Sequence, residues 1–293
     1  MEKIHTSMNE KEIKALVSLL DDDDMSIVTH VEEKIISLGN LVIPYLESEW
    51  ENNFNPVIQK KIEELIHTLQ FDNLKIRLKE WKQGGFTDII EGMWLVATYQ
   101  YPDLEISRLR TEIEQISRDA GKEMNLDLPP HDQVKYLNNV IFGKYRFSAN
   151  TKNFHSPSNS LINIVLESKK GNPISLCTLY MSVAQNLGMP VFGVNLPNLF
   201  ILTYKTAETQ FYINAFNRGI IFSRADLENY VSHLNINPID IFFEPCNNLD
   251  IIKRVLRNLI VSYEKIGDYN RVEEIKVLLN SVSAGDDDFG PMI

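Results

Sequence analysis

The chain has 293 residues, of which 44% are hydrophobic and 24% charged, so it has the composition of a globular protein with enough apolar surface for one or two cores. Its formal net charge of −11 argues against nucleic acid as a partner, because phosphate binding depends on Lys and Arg. No apolar run approaches the roughly 18–20 residues of a membrane span, and the first ten residues contain no signal-peptide core, so we expect no membrane partner.

The first predicted region, residues 1–83, consists of helices only. Apolar residues recur at helical spacing from Ile13 to Leu20. The acidic run Asp21–Asp24 lacks the alternating ligands, central Gly and distal Glu of an EF-hand, so it predicts a turn between helices rather than a calcium site. Further helices are predicted over residues 25–38, 41–50, 57–69 and 74–81. The segment that ends in Val42-Ile-Pro-Tyr-Leu46 resembles a HEAT-type repeat, with a plain helical bundle as the alternative.

Gly84-Gly85 marks the start of a second region, residues 84–245, in which helical patterns precede strands. Helices are predicted over residues 86–99, 104–124 and 132–142. Strands follow late in the region, over residues 191–195, 199–205, 210–214 and 219–222. This order predicts an α+β fold that is predominantly helical, with a small antiparallel sheet.

Between these helices and strands, Gly171-Asn-Pro-Ile-Ser175 has the features of a helix start. Asn172 is a good N-cap, and Pro173 suits the first helical position. Gly188 is placed to end the helix after Leu187 in a left-handed conformation. The free N–H groups and the positive dipole end of such a start can stabilise a thiolate or an oxyanion, but Pro173 itself has no reactive atom.

Residues 246–284 are predicted to form a helix hairpin, with helices over 250–266 and 269–282 joined at Gly267-Asp268, and this pattern resembles one TPR-like unit. The basic segment Lys253–Arg257 alternates with apolar residues and is predicted to be a solvated helix face. The polar tail, residues 285–293, is predicted to be disordered.

Three segments in order resemble the transglutaminase-like superfamily, in its SirB-type branch: Asn159–Glu167, Lys169–Tyr180 and Gly188–Gly219. The resemblance covers about residues 85–280. It implies a papain-like α+β core in which a helix has a catalytic Cys at its N-terminus, the next strand supplies His and a third supplies Asp.

By position, the Cys, His and Asp slots of the family fall on Pro173, Leu199 and Asn214. The resemblance implies that Leu199 faces Pro173 across the junction between helix and strand. Leu199 lies in Leu196-Pro-Asn-Leu-Phe200, where relatives often read Pro-Gly-His-Phe. Asn214 could still orient an imidazole, but Leu199 cannot accept a proton. Loss of one essential triad member costs about 10⁴ to 10⁶ in rate. The resemblance therefore implies a catalytically degenerate protein, a pseudoenzyme, that acts by binding a protein or peptide.

Three residues near these slots keep an enzymatic alternative open. Cys177 lies one helical turn beyond Pro173, on the face predicted to pack on the sheet, where a free cysteine usually serves as a small hydrophobe. Ser175 suits the polarity of a helix start, and His155 lies in a loop. A thiol-dependent amide hydrolase or acyl transferase would use Cys177 with a base such as His155. An assembly scaffold without a ligand groove is a third possibility.

Polar residues in these segments are predicted to line a remnant groove: Asn172, Ser175, Asn195, Asn198, Asn214 and Asn217. They would bind a peptide or amide by hydrogen bonding, although asparagine is also common in turns. Cys177 and Cys246 show no metal-ligand spacing and are typical of a reducing compartment. We therefore expect a cytoplasmic protein that needs no metal or other cofactor and has a protein or peptide partner.

Overall fold

The computed structural model describes residues 10–283, and the predicted tail at 285–293 lies outside them. The chain divides into two compact units between Arg77 and Leu78. The first unit is helical and contains α1 (Glu10–Ser18), α2 (Met25–Ser37), α3 (Ile43–Asn52) and the larger part of α4 (Pro56–Gln83).

The helices of the first unit bury their apolar stripes in one shared core. Its fully buried members include Leu20, Ile35, Val42, Leu46 and Ile62. The turn predicted at the acidic run is confirmed, because Asp24 accepts a hydrogen bond from the Ser26 N–H at 2.8 Å as the N-cap of α2. The prediction of two helices over 57–69 and 74–81 is wrong: α4 is continuous, since residues 70–73 contain neither Gly nor Pro to end it.

The second unit combines helices with two small sheets. Its helices are α5 (Ile89–Thr98), α6 (Ile106–Gly121), α7 (Pro130–Asn138), α8 (Ile162–Ser168), α9 (Pro173–Asn186), α10 (Arg224–His233), α11 (Asn248–Ile266) and α12 (Tyr269–Ser283). Its strands are β1 (Ser148–Ala149), β2 (Lys170–Gly171), β3 (Val191–Leu196), β4 (Leu199–Lys205), β5 (Gln210–Asn214) and β6 (Ile220–Phe222). The chain leaves α7 through a π-helical turn, Asn139–Lys144.

The main sheet is antiparallel, in the order β3-β4-β5-β6. Asn195 is paired with Phe200 and Val194 with Ile201, which fixes the side of the sheet on which each side chain lies. The predicted fold class, a predominantly helical α+β protein with a small antiparallel sheet, is confirmed. The two-residue strands β1 and β2 form a separate parallel pair.

Helices cover both faces of the main sheet. Every residue of α9 from Ile174 to Ala184 is buried, and this helix packs on β3 and β4. On the other face Leu196, Ile201 and Tyr212 pack with residues of α10. Helix α10 was not predicted from the sequence, although its start is a capping box between Ser223 and Asp226.

The predicted C-terminal hairpin is present. Helices α11 and α12 pack against each other, and Gly267 ends α11 with φ +77°, a left-handed conformation that favours glycine. Within residues 10–283, no helix combines the length and the apolar composition that a membrane span requires.

Candidate functional site

Asn172 is the N-cap of α9, as the sequence predicts, and it forms a capping box with Ser175. Asn172 Oδ1 accepts a hydrogen bond from the Ser175 N–H at 3.0 Å, and Ser175 Oγ accepts one from the Asn172 N–H at 3.1 Å. Pro173 occupies the first turn, and Gly188 has φ +78° just beyond the other end. Pro173, which is predicted to hold the superfamily's nucleophile slot, therefore lies at a well-formed helix start and has no reactive atom.

A network of buried amides and hydroxyls lies in front of this helix start. Asn172 Nδ2 donates to Ser160 Oγ at 2.8 Å. Asn159 Nδ2 donates to the carbonyl oxygens of Asn153 and Phe154 at 2.7 and 3.0 Å, and its Oδ1 accepts from Asn150 at 2.8 Å. These bonds fasten the loop that contains Phe154 and His155 to the start of α9.

A cavity of about 220 Å³ opens between this loop, the start of α9, the beginning of β4 and one face of α11. Its wall is formed by Phe154, His155, Asn172, Pro173, Ile174, Asn198, Phe200, Arg254, Asn258, Val261 and Ser262. The wall contains both apolar and polar side chains, and the polar ones are amides, a hydroxyl, an imidazole and a guanidinium. Such a lining is typical of a binding cavity, in which a few polar groups set orientation.

Arg254 is the strongest charge in this wall. Its Nη1 donates to Asn195 Oδ1 and, at 2.9 Å, to the Leu196 carbonyl oxygen. Burial lowers the pKa of its guanidinium from the usual value, because desolvation disfavours the charged form. The expectation of a solvated helix face over Lys253–Arg257 is wrong here, since Lys253 is only 5% exposed and Arg254 is half-buried.

Cys177 lies below the cavity and does not line it. Its side chain is 0% exposed, and its Sγ lies 3.6 Å from the Phe200 carbonyl oxygen. Desolvation raises the pKa of this thiol to about 12. A thiol in that state is a poor nucleophile at neutral pH.

The other two fallback residues are also separated from catalytic partners. Ser175 is fully buried, and its hydroxyl takes part in the capping box. His155 is exposed at the cavity wall, where its ring lies edge-on to Phe154 at 5.2 Å between centroids. The structure therefore places His155 and Pro173 on the wall of the same cavity, which neither Cys177 nor Ser175 lines.

Leu199 lies on the opposite face of the sheet from the cavity. It packs with Leu196, Ile201 and Tyr212 beneath α10, whereas its neighbours Asn198 and Phe200 line the cavity. The expectation that Leu199 faces Pro173 is therefore wrong. The physical reason is the two-residue period of the strand, which sets successive side chains on opposite faces.

The six predicted groove residues fall into separate places. Asn172 and Asn198 line the cavity, and Asn195 reaches it through its hydrogen bond to Arg254. Asn214 and Asn217 form a local turn after β5, where Asn214 Oδ1 accepts from the Asn217 N–H at 3.1 Å. These two asparagines have the turn role that the sequence left open.

The contribution of α11 to the cavity was not predicted from the sequence. Arg254, Asn258, Val261 and Ser262 all line the cavity, although the sequence placed them in a separate C-terminal hairpin. The available signal was their spacing, because positions i, i+4, i+7 and i+8 share one helix face.

The comparisons with known proteins agree with this architecture. The model of the transglutaminase-like superfamily matches residues 107–257, just over half of the chain. A UPF0162 protein of Xylella fastidiosa (strain 9a5c) is 29% identical over 194 residues, covering 60% of this chain and 65% of that protein. The UPF0162 protein YchA of Escherichia coli (strain K12) is 26% identical over 179 residues, covering 59% of this chain and 66% of that protein.

A mouse protein also matches: F-box only protein 21 of Mus musculus is 33% identical over 111 residues, which are 35% of this chain and 18% of that protein. The chain thus spans just under two thirds of the length of the Xylella relative. No solved structure matches the chain.

Proposed function

The chain belongs to the transglutaminase-like superfamily, and we propose that it is a catalytically degenerate member that binds a protein or peptide segment in the cavity at the start of α9. The observation that carries the proposal is the residue content of the cavity at the start of α9. Pro173 stands at the predicted nucleophile position and has no reactive atom, Leu199 faces away from the cavity, and Cys177 is buried outside it. The superfamily scaffold then keeps its cavity without the chemistry of the triad.

The buried environment of Cys177 in the second unit does not support a thiol-dependent hydrolase or acyl transferase. Such an enzyme needs Cys177 as a thiolate beside a base. Cys177 is buried, its pKa is raised to about 12, and its Sγ lies near the Phe200 carbonyl oxygen. His155 lines the cavity, which Cys177 does not.

The cavity wall favours a peptide as the ligand. Phe154 and Val261, which line the cavity and retain exposed surface, offer apolar contact for a side chain. Asn198 and Asn258 lie beside it, and an amide both donates and accepts, as a peptide group does. Binding of one residue of a segment would therefore satisfy apolar and polar groups together.

The finer assignments belong to the same proposal. The motif order supports the SirB-type branch, the N-terminal helices a HEAT-like region, and the α11–α12 pair a TPR-like unit. Helical repeats of these kinds offer faces for partner proteins. A cytoplasmic location is proposed from cysteine usage, and protein partners follow from the binding role.

The test of degeneracy is a turnover assay. The full chain, Cys177→Ala and Ser175→Ala are compared for hydrolysis of a pool of N-acetylated octapeptides and for transfer of a fluorescent amine to casein. We expect no product above the level without protein in all three samples. Turnover by the full chain that disappears in either variant would overturn the proposal.

The test of binding uses a matched pair of valines. Val261→Phe reduces the volume of the cavity, whereas Val277→Phe makes the same change at an exposed position on α12. Retention of the octapeptide pool by the immobilised chain, read by mass spectrometry, is expected to fall in Val261→Phe and to stay unchanged in Val277→Phe. Equal retention by both variants would place peptide binding outside the cavity and contradict the proposal.

A further inference from the structure

The wall of the cavity has a charge opposite to that of the chain. The sequence contains 40 acidic and 29 basic residues, yet the wall has one arginine and neither Asp nor Glu. The start of α9 adds the positive end of a helix dipole to the same wall, at Asn172 and Pro173. The cavity is therefore an electropositive site in an acidic protein.

Arg254 retains hydrogen-bonding capacity in this site. Its Nη1 donates to Asn195 and to the Leu196 carbonyl oxygen, which hold the guanidinium in place. Its Nε and Nη2 groups have no protein partner among residues 10–283, and neither of the two acceptors is an anion. A guanidinium can offer two parallel N–H donors to one carboxylate.

Neighbouring residues on α11 also line the cavity and give the charged site a defined shape. Asn258 lies one turn beyond Arg254, and Val261 and Ser262 lie one turn further, all on the cavity face. From the loop before β2, the exposed ring of Phe154 adds apolar surface to the same cavity. A ligand held at Arg254 by a charge would thus place an apolar group against these side chains.

We propose that the cavity recognises a carboxylate attached to an apolar group, in the form of the free C-terminal residue of a peptide whose α-carboxylate binds Arg254. This inference rests on the proposed function, because it names the chemical class of the segment that the cavity binds. The last side chain lies on the apolar wall, and Asn258 and Asn198 bind the final peptide group. A free apolar acid has the same chemistry without the peptide group.

The experiment compares three probes on the immobilised full chain. They are a pool of N-acetylated octapeptides with free carboxylates, the same pool with amidated C-termini, and 4-methylpentanoate as a competitor. We expect the wild-type chain to retain the free-carboxylate pool at least about tenfold better, because a hydrogen-bonded charge is worth more than a tenfold change in affinity. Displacement of the retained peptides by 4-methylpentanoate would support a carboxylate site.

Two variants with matched controls assign the site. Arg254→Gln removes the cation, and Lys265→Gln makes the same charge change at an exposed position of α11. Asn258→Asp keeps the side-chain shape and places a carboxylate beside Arg254, with Asn280→Asp as its exposed control. The two cavity variants are expected to lose the preference for free carboxylates, and the two controls to keep it. If Arg254→Gln fails to fold, Asn258→Asp decides alone.

The outcomes separate this inference from the proposed function. Equal retention of free and amidated peptides overturns the carboxylate site and leaves peptide binding in place. Retention of neither pool, together with direct binding of 4-methylpentanoate that Asn258→Asp removes, supports the anion site and overturns the peptide function. Retention of neither pool and no binding of the acid overturns both.

Discussion

Two polar regions meet at Asn172, and they differ in how their hydrogen bonds are satisfied. In the loop network, Asn159 is 2% exposed and its side chain makes three hydrogen bonds to protein groups. In the cavity wall, Arg254 is held at Nη1 while its other donors lack a protein partner among the described residues. Asn172 belongs to both regions, because its side chain caps α9 and also lines the cavity.

The difference separates polar groups that build the fold from polar groups that remain available to a ligand. Buried amides with protein partners stabilise the native state, and their removal leaves partners unsatisfied. A half-buried cation without a counter-charge contributes less stability than it would in an ion pair. Such incompletely satisfied groups in a cavity are characteristic of binding sites, where function and stability compete.

The largest effect should come from breaking the loop network. Asn159→Ala removes the bonds to the carbonyl oxygens of Asn153 and Phe154 and the bond from Asn150. At about 0.5–1.5 kcal/mol for each bond, we expect the free energy of unfolding to fall by about 2–4 kcal/mol. Urea unfolding followed by circular dichroism measures the change.

The control for this substitution is Asn280→Ala, which removes the same side chain from an exposed position of α12. It should change the free energy of unfolding by less than about 0.5 kcal/mol. If Asn159→Ala were no more destabilising than Asn280→Ala, the network would be incidental to stability and the contrast between the two regions would fail.

A prediction with a smaller effect tests whether water is excluded from the buried side chain of Cys177. Desolvation raises the pKa of Cys177 from 9.0 to about 12. Since the folded state then holds the proton more tightly than the unfolded state, this group's contribution is fully present below pH 9 and is lost as the pH rises towards 12. Between pH 8 and pH 10 the loss is about 1.4 kcal/mol for a shift of this size.

We expect Cys177→Ala to remove that part of the pH dependence of unfolding. Ile174→Val, a buried change on the same helix without a titratable group, should retain the full dependence. The comparison is made as the difference in unfolding free energy between the two pH values within each variant, so that the cost of each substitution cancels. Identical differences in wild type and Cys177→Ala would mean that the thiol is solvated in the folded protein.

The start of α9 could be predicted because its signals are local. Asn172, Pro173 and Gly188 each have a backbone preference that acts within one helical turn, and the structure shows each in its expected position. The strands β4 and β5 have their predicted bounds for the same reason, since alternation is a short-range pattern. Motif order then led from these elements to the superfamily.

The cavity could not be predicted, because its wall depends on packing between distant segments. Arg254 lies on a helix far beyond Pro173 in the sequence, and its spacing with Asn258 predicts a shared helix face but not what that face packs against. The side of the sheet that Leu199 occupies depends on strand register, where a shift by one residue exchanges the two faces. The position of Leu199 in its motif predicted a slot in the family pattern but not the direction of the Leu199 side chain.

The smallest effect has the opposite sign and tests the cavity wall directly. Asn258→Asp places a carboxylate one helical turn from Arg254. An ion pair at this spacing contributes about 0.3–0.5 kcal/mol on an exposed helix, and partial burial of Arg254 strengthens it, so we expect a gain of about 0.5–1 kcal/mol at pH 7. Because the pairing would lower the pKa of the new carboxyl, the gain should disappear as the pH falls through that pKa.

Urea unfolding at pH 7 and pH 3 measures this gain in stability, with Asn280→Asp as the exposed control. A stability equal to or below that of the wild type at pH 7 would show that Arg254 is already compensated, and the contrast with the loop network would not hold.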